Sequence, residues 1–326
     1  MIKVLGMGNA LVDVLAIIED DKILETLNLP KGSMQLIDSE KFKEISSEIN
    51  KMDTNIVSGG SAANTIVGLA RLGIETGFLG RIGKDTFGNH FKSDLEKYHI
   101  KSHLTEVDET SGVASTFISK DGERTFGTYL GAAALLNADE LHKSDFEGYD
   151  YFYIEGYLVQ SHDLIRKAIV FAKEAGAKVI LDLASYNVVE ENREFLLDVI
   201  PQYVDILFAN EEEAKSFLNM EAEDAVSVLA KDVEIAIVKT GAKGSWIQRG
   251  DEKVFVPALK VNCVDTTGAG DLYAAGFIYG IINNLSLTAS GKIGTLLAGE
   301  VVQVIGPKIE ADKWNSIIEE IKNDIK

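Results

Sequence analysis

The second half of the chain alternates between short apolar segments and longer amphipathic segments, and this alternation constrains the fold more than any other feature. Strands that are apolar on both faces and are separated by helices are typical of a parallel sheet covered on both sides. The predicted strands span residues 151–154, 178–183, 204–209 and 235–239, and the predicted helices between and after them span 163–175, 191–200, 211–218, 222–231, 271–282, 287–305 and 314–325.

The first half continues this pattern but is interrupted by two β-rich segments. Predicted strands at residues 2–6 and 76–79 and a helix at 39–50, with Ser39 as its N-cap, fit the α/β alternation. The segments 11–37 and 112–130 do not fit it, and the second carries an Asp-Gly hairpin turn signal at Asp121 and Gly122. We therefore predict one α/β domain over residues 1–326. It is a three-layer, doubly wound, mostly parallel sheet, with a small β-strand lid formed by the segments 11–37 and 112–130.

The charge balance narrows the range of partners. Asp and Glu outnumber Lys and Arg by 51 to 32, a net charge of −19, and such a surface repels nucleic acid and anionic membranes. The amino-terminal residues lack the apolar run of a signal peptide or spanning helix, so a cytoplasmic protein is predicted. Cys263, the single cysteine, excludes an internal disulfide and is interpreted as a small buried hydrophobe. A monomer and a homodimer both stay open, because an exposed lid sheet can pair with another chain.

The stretch from Val264 to Asp271 carries the strongest chemical signal. Gly268, Ala269 and Gly270 stand where a loop opens a helix, and free N–H groups and the helix dipole make such a place an anion site. An Asp on the first turn repels an anion, but it suits a base that removes a proton from a group the anion must join. The stretch therefore predicts phosphoryl transfer, with Asp271 as the base.

Three further positions suggest an acceptor site. Gly60 lies at a predicted strand-to-helix junction, which allows either close approach of backbone to a ligand or a sharp turn. Asn64 lies on an otherwise apolar helix, where its amide needs partners such as a substrate hydroxyl. Asp13 lies in an apolar stretch, and its carboxylate is costly there unless it is paired. A pair of sugar hydroxyls and a buried cap or ion pair are equally good partners for Asp13.

Two loops admit both a structural and a functional interpretation. Asn210 suits a helix N-cap, and with Glu213 on the same face it suits a site that orders Mg²⁺ through water. Residues 239–244 follow a strand and fit either a wall of a nucleotide site or an ordinary hairpin turn.

Two common nucleotide-binding motifs are absent from the sequence. Gly6 and Gly8 lack the third glycine of a dinucleotide motif, and residues 241–245 lack the P-loop order and spacing.

Three of these motifs, taken in order, resemble a known family. Residues 59–64 with 80–88 resemble the first signature of the ribokinase-like, phosphofructokinase-B type kinases. Residues 210–213 look like the Asn-x-x-Glu motif of that family, and residues 265–271 resemble its second signature. The resemblance covers nearly the whole chain. It implies a large α/β domain with a β lid, ATP and Mg²⁺ as cofactors, and transfer of the γ-phosphoryl group to a hydroxyl.

The resemblance also implies a role for each matching residue. Asp271 takes the hydroxyl proton, and the amides of residues 268–270 form the anion hole. Near the phosphates, Arg124 adds positive charge from the lid. The remaining roles fall to residues that hold the ribose hydroxyls (Asp13, Gly60, Asn64), line the pocket for the base (Leu11, Gln35, Tyr157), organise Mg²⁺ through water (Asn210, Glu213) and lie beside ATP (Thr240, Gly241, Gly244). Some relatives bind a monovalent cation such as K⁺ behind the anion hole, near Asp265 in this chain.

A finer resemblance points to the adenosine-kinase branch. It rests on residues 8–13, 33–36, 124–133, 155–158 and 204–210. Thr267 departs from it, since adenosine kinases often have Asn at this position and sugar kinases share the Thr-Thr pair. Adenosine is therefore the expected acceptor, a free sugar such as ribose or fructose is the alternative, and a non-catalytic nucleotide-binding protein is a third possibility that would not need Asp271.

Overall fold

A computed structural model describes residues 1–324 and contains two β-sheets and twelve α-helices in that part of the chain. The strands are β1 Lys3–Met7, β2 Leu11–Ile17, β3 Met34–Leu36, β4 Thr54–Gly59, β5 Glu75–Gly83, β6 Lys101–Val107, β7 Gly112–Ile118, β8 Arg124–Tyr129, β9 Tyr151–Glu155, β10 Lys178–Asp182, β11 Ile206–Asn210, β12 Ile235–Lys239, β13 Gly244–Arg249 and β14 Glu252–Pro257. The helices are α1 Lys22–Thr26, α2 Ser39–Ile49, α3 Ser61–Arg71, α4 Thr86–Lys97, α5 His162–Glu174, α6 Tyr186–Glu191, α7 Arg193–Tyr203, α8 Glu211–Leu218, α9 Ala222–Leu229, α10 Ala269–Ile282, α11 Leu287–Val301 and α12 Lys313–Asp324.

The main sheet has nine strands in the order β14-β13-β12-β11-β10-β9-β1-β5-β6. All neighbours from β12 to β6 pair in parallel, and the hairpin β13–β14 adds two antiparallel strands at one edge. Val179 and Leu181 of β10 pack into one apolar core, whereas Ile180 packs into the core on the opposite face. This double burial explains why the strands are apolar at every position. The predicted doubly wound, mostly parallel α/β fold is confirmed.

The second sheet has five strands in the order β3-β8-β7-β2-β4. Strands from both β-rich segments, 11–37 and 112–130, enter this sheet, and β4 joins it from outside them. One face packs on α2 and the α1 region through a third apolar core that includes Val14, Leu24, Ile45 and Phe117. The other face is turned toward the carboxyl ends of the main-sheet strands, as the lining residues below show.

Several local predictions differ from the structure. Strand β6 was not predicted, because it is a mostly exposed edge strand of polar residues rather than an apolar run. The N-cap of α2 is Asp38, whose carboxylate accepts the Lys41 N–H at 2.8 Å, and Ser39 is the first helical residue. The predicted helix 191–200 is replaced by α6 and α7, which are separated at Asn192. The predicted end of the last helix, Ile325, lies outside the described residues.

Helix α11 also ends earlier than the predicted residue 305. Within residues 1–324, no helix combines the length and the apolar character that crossing a membrane requires.

Candidate active site

A cavity of about 1220 Å³ lies between the two sheets, at the carboxyl ends of the main-sheet strands. Asn9 follows β1, and the other strand ends contribute Glu155, Asp182, Asn210 and Lys239 to the lining. The carboxyl edge of a parallel sheet is where ligands bind in open α/β folds, because the loops and helix N-termini converge there. The cavity is therefore the candidate site.

The N-terminus of α10 opens into this cavity. Gly268 is its N-cap with φ of 77°, and a Cβ there would lie 2.8 Å from Cβ of Pro307, so only glycine fits. Gly268, Ala269 and Gly270 all line the cavity. The Ala269 N–H donates to the Thr266 carbonyl at 3.1 Å, so this amide closes the turn in the structure. The three residues predicted to form the anion hole thus lie at a helix N-terminus that lines the cavity, with the Ala269 amide engaged locally.

Asp271 lies on the first turn of α10, and α3 holds its carboxylate. Ser61 Oγ donates to Oδ1 at 2.7 Å, and Asn64 Nδ2 donates to Oδ2 at 2.9 Å. Burial raises the pKa of Asp271 to about 6, although these two hydrogen bonds oppose the rise. The carboxylate is thus fixed in direction and titrates close to neutral pH, as a general base requires.

Asn64 and Gly60 lie close together at the start of α3, but Asn64 makes a side-chain contact whereas Gly60 allows a close backbone approach. Both line the cavity, and the Asn64 amide nitrogen is directed to Asp271 rather than left free for a ligand. Gly60 is the N-cap of α3 with φ of 92°, and a Cβ there would lie 2.3 Å from the Asn9 carbonyl oxygen. Close approach of two backbone segments therefore explains the glycine.

Asp13 lies on β2, which pairs with β4, and it lines the cavity. Burial raises the pKa of Asp13 to about 7, while the charges of Lys308 and Arg124 oppose the rise. A Cβ on the facing Gly59 would lie 2.4 Å from its carboxylate, so the glycine makes room for this side chain. The carboxylate is a candidate acceptor for ligand hydroxyls.

The wall beside Asp13 is apolar. Of the three residues predicted to line a pocket for the base, Leu11 and Tyr157 line the cavity but Gln35 does not. On the three-residue strand β3 the side chains alternate, so Met34 and Leu36 face the cavity and Gln35 faces the opposite side with its partner Gly127. The contact predicted for Gln35 is therefore wrong, and its two neighbours occupy that wall.

Arg124 joins the second sheet to the loop before α10. Its Nη2 lies 2.7 Å from Oδ2 of Asp265, and its Nη1 donates to Thr267 Oγ1 at 3.1 Å. Burial lowers the pKa of Arg124, and the charge of Asp265 opposes that change. Arg124, the arginine predicted for the lid, thus touches the loop before α10, and a carboxylate balances its charge.

Asn210 and Glu213 form a capping box at the start of α8. Asn210 Oδ1 accepts the Glu213 N–H, and the Glu213 carboxylate accepts the Asn210 N–H, both at 2.8 Å. Helix initiation therefore accounts for the pair, as in the structural interpretation, and both residues also line the cavity. Burial raises the pKa of Glu213 to about 7, and the Lys239 ammonium opposes the rise.

These residues fit an ordered Mg²⁺ only through water and substrate oxygens. Among residues 1–324, no group of three or more His, Cys, Asp or Glu side chains is arranged to hold a metal ion. Mg²⁺ keeps several waters and commonly uses one or two carboxylates together with substrate phosphates. Glu213 supplies a carboxylate at the cavity wall, which matches this pattern.

The turn after β12 forms another wall. Gly241 and Gly244 line the cavity, but Thr240 does not, and its hydroxyl donates to the Gly244 carbonyl at 2.9 Å. Thr240 therefore shapes the turn.

Cys263 is exposed and lines the cavity, so its interpretation as a buried hydrophobe is wrong. It belongs to the irregular loop after β14, which has no strand partner to cover it.

Four residues of this site had no individual role predicted from the sequence. Ser61 holds Asp271 through its hydroxyl, and Asp182 pairs with Lys239 at 2.9 Å. The Glu155 carboxylate accepts the backbone N–H and the side-chain Nδ2–H of Asn9 and the backbone N–H of Ala62, each at 2.8 Å. Burial raises the pKa of Glu155 to about 7 despite these bonds. The last residues of apolar strands were the available signal, since Asp182, Glu155 and Lys239 are the polar residues that end β10, β9 and β12.

Comparison with known proteins gives a consistent picture. Residues 32–314 match the pfkB family of carbohydrate kinases. The crystal structure of adenosine kinase from Sinorhizobium meliloti superimposes with a TM-score of 0.86 at 34% identity, covering 98% of this chain and 99% of that chain. A probable sugar kinase from Rhizobium etli gives a TM-score of 0.87 at 33% identity, covering 98% of both chains. A nucleoside kinase from Methanocaldococcus jannaschii is 29% identical over 290 residues, 87% of this chain and 91% of that protein.

Proposed function

The chain belongs to the pfkB family of carbohydrate kinases and is an ATP-dependent kinase, and from this premise we propose that its acceptor is the 5′-hydroxyl of a nucleoside, with adenosine favoured. The observation that carries the proposal is the placement of Asp271. Its carboxylate is fixed by Ser61 and Asn64 and stands on the first turn of α10, beside the backbone amides of Gly268 and Gly270. A base and an anion site thus share one helix end.

The reaction follows from this placement. Asp271 takes the proton of the acceptor hydroxyl as its oxygen bonds to the γ-phosphorus of ATP. The bond from that phosphorus to the β,γ-bridging oxygen breaks, and ADP leaves. The N–H groups and dipole of α10 stabilise the charge on the phosphoryl oxygens in the transition state. Because Asp271 titrates near 6, it is ionised and able to accept the proton at neutral pH.

Arg124 and Glu213 complete the charge arrangement in this proposal. The Arg124 guanidinium contacts the loop before α10, so its positive charge lies next to the anion site and becomes available to a phosphate. Glu213 and Asn210 would hold water molecules of Mg²⁺, which neutralises charge on the phosphates when bound. Gly241 and Gly244 form the wall beside ATP.

The acceptor wall favours a nucleoside. Asp13 lies in the cavity, available to sugar hydroxyls, beside an apolar surface that includes Leu11, Met34, Leu36, Phe126, Leu136 and Tyr157. A free sugar offers hydroxyls alone, whereas a nucleoside also offers a flat, weakly hydrated base that gains free energy from apolar contact. The carboxylate and the apolar wall together match both halves of a nucleoside.

A free sugar is the second candidate acceptor. Thr267 matches the Thr-Thr pair of sugar kinases, and one of the similar solved structures is of a probable sugar kinase. In both cases we propose that the second sheet is the lid, which excludes water when it closes so that ATP is not hydrolysed.

A monovalent cation behind the anion site remains a prediction that the contacts of Asp265 do not favour. Its Oδ1 accepts from Thr267, and its Oδ2 accepts the Gly306 N–H at 2.7 Å and pairs with Arg124. A cation at this carboxylate would compete with the guanidinium. Activity that is equal in potassium salts and in salts of a bulky cation such as tetramethylammonium would remove the cation from the proposal.

The proposed function is tested by measuring ADP release over a panel of nucleosides and free sugars at saturating MgATP. We expect adenosine to give the highest kcat/KM, with product carrying phosphate at the 5′ position by NMR. Turnover with ribose or fructose and none with nucleosides would transfer the assignment to the sugar. Release that does not depend on any acceptor would show ATP hydrolysis instead.

A further inference from the structure

Lys239 lies at the end of β12 and its side chain crosses the end of β11. The ammonium pairs with Asp182, the last residue of β10, at 2.9 Å and lies 5.8 Å from the ring centroid of the buried Phe208. The side chains of Lys239 and Asp182 are only 16% and 5% exposed. The ion pair therefore forms part of the cavity floor rather than of the protein surface.

The ammonium also lies at the N-terminus of α10. A Cβ built on Gly270 would lie 3.3 Å from Lys239 Nζ. Gly270 thus leaves open the space in which the ammonium and the first amides of α10 face one another. Of its three N–H donors, Lys239 uses one on Asp182, and the cavity is open to the others.

Lys239 brings a positive charge into a cavity whose other charged lining groups are carboxylates. Among residues 1–324, it is the one lysine or arginine that lines the cavity. Arg124 pairs with Asp265, and Lys308 pairs with Asp94. Burial alone would lower the pKa of Lys239, but the carboxylates of Asp182 and Glu213 outweigh this and raise it, so the ammonium stays charged.

We propose that Lys239 is a catalytic cation that donates hydrogen bonds to the phosphate chain of the nucleotide, and that Asp182 positions it beside the α10 amides. This inference rests on the proposed phosphoryl transfer. The ammonium faces the anion site from the sheet side, while Asp271 faces it from the first helical turn. Negative charge that moves to the β,γ-bridging oxygen as its bond to phosphorus breaks is stabilised by Lys239, and the proton of the acceptor goes to Asp271.

The test compares Lys239→Met with Lys239→Arg and with Lys178→Met as a matched control. Lys178 is a half-exposed lysine at the opposite end of the sheet, paired with Glu234, so its loss changes net charge equally. We expect Lys239→Met to lower kcat about 100-fold, the scale of one lost oxyanion contact. By calorimetry, its affinity for ATP and for inorganic tripolyphosphate should fall about tenfold, with adenosine binding unchanged. Lys239→Arg should recover part of both losses.

The double variant Lys239→Met with Asp182→Asn separates catalysis from folding. Met leaves the Asp182 carboxylate buried without its partner, and Asn removes that charge, so the double variant should regain thermal stability but not kcat or polyphosphate affinity. Recovery of kcat together with stability would overturn the inference, as would wild-type kcat and wild-type polyphosphate affinity in Lys239→Met. If the wild-type protein transfers no phosphoryl group, the proposed function fails, whereas tripolyphosphate binding still decides whether Lys239 contacts phosphate.

Discussion

The Arg124 guanidinium lies 2.7 Å from the Asp265 carboxylate, and this ion pair joins the second sheet to the loop that leads into α10. The side chains are 9% and 3% exposed, so water screens the pair weakly. Asp265 also accepts the N–H groups of Thr267 and Gly306, which fixes the loop from both sides. The position of the α10 N-terminus therefore depends on a contact from the second sheet.

Replacing Arg124 with Met tests both parts of this relationship. The change leaves the Asp265 carboxylate buried without a cationic partner, which typically costs about 3 kcal/mol of the free energy of unfolding. We also expect kcat to fall, because a positive charge beside the phosphates is lost. Urea denaturation and steady-state assays measure the two effects separately.

A double variant, Arg124→Met with Asp265→Asn, serves as the control for stability. Removing the carboxylate removes the unpaired charge, so most of the lost stability should return while kcat stays low. If kcat recovers in step with stability, Arg124 only supports the loop and has no part in phosphoryl transfer.

The pH dependence of kcat/KM should have an acidic limb near pH 6. Asp271 acts as a base only when ionised, so activity rises with pH through its pKa of about 6 and then levels off. Asp13, with a pKa of about 7, should broaden the limb if its ionised form binds the acceptor. Initial rates from pH 5 to pH 8 at low acceptor concentration measure this profile.

Ser61→Ala should move the acidic limb of the pH profile to higher pH. The Ser61 hydroxyl donates to the Asp271 carboxylate and stabilises its ionised form, so its loss should raise the pKa and move the limb to higher pH. Asn64→Ala should act in the same direction and also raise the acceptor KM if the amide oxygen holds a hydroxyl. An unmoved limb in both variants would mean that another group controls the profile.

The main sheet was predictable because its strands are buried on both faces and are therefore apolar at successive positions. Each of β9 to β12 is a run of apolar residues, and neighbouring positions such as Val179 and Ile180 pack into different cores. The edge strand β6 is mostly polar, so it has no such apolar run from which to predict it. Strand β3 has three residues, so the face to which Gln35 points depends on its pairing with β8, which composition does not encode.

The lining residues near Gly60 and Gly268 were predictable from motifs that are local in sequence. Each of these glycines stands where the chain enters a helix. The contacts that orient the lining residues were not predictable. Ser61 reaches Asp271 across 210 positions, and Glu155 reaches Asn9 across 146, because the parallel topology brings distant strand ends together. Ser61 and Glu155 therefore make these contacts only in the folded protein, after the sheet has formed.

Asp271→Asn tests the proposed base directly. Asn keeps the size of the side chain but cannot accept a proton, so kcat should fall about 100-fold or more while ATP affinity stays near that of wild type. Calorimetry with ATP and ADP-release assays provide the two readouts. Turnover close to that of wild type would remove Asp271 from the mechanism.

Gly60→Ala should destabilise the protein because Ala is excluded there for two reasons. The backbone has φ of 92°, and the new Cβ would lie 2.3 Å from the Asn9 carbonyl oxygen. Gly176 is the matched control, since its φ is 88° but no atom lies within 4 Å of a built Cβ. Gly176→Ala should cost about 1 kcal/mol of the free energy of unfolding, from backbone strain alone. Gly60→Ala should cost about 3 kcal/mol or more and raise the acceptor KM, because α3 must move away from Asn9. Equal costs in urea denaturation would show that the α3 N-terminus yields without strain, and that Gly60 does not set its distance from the acceptor site.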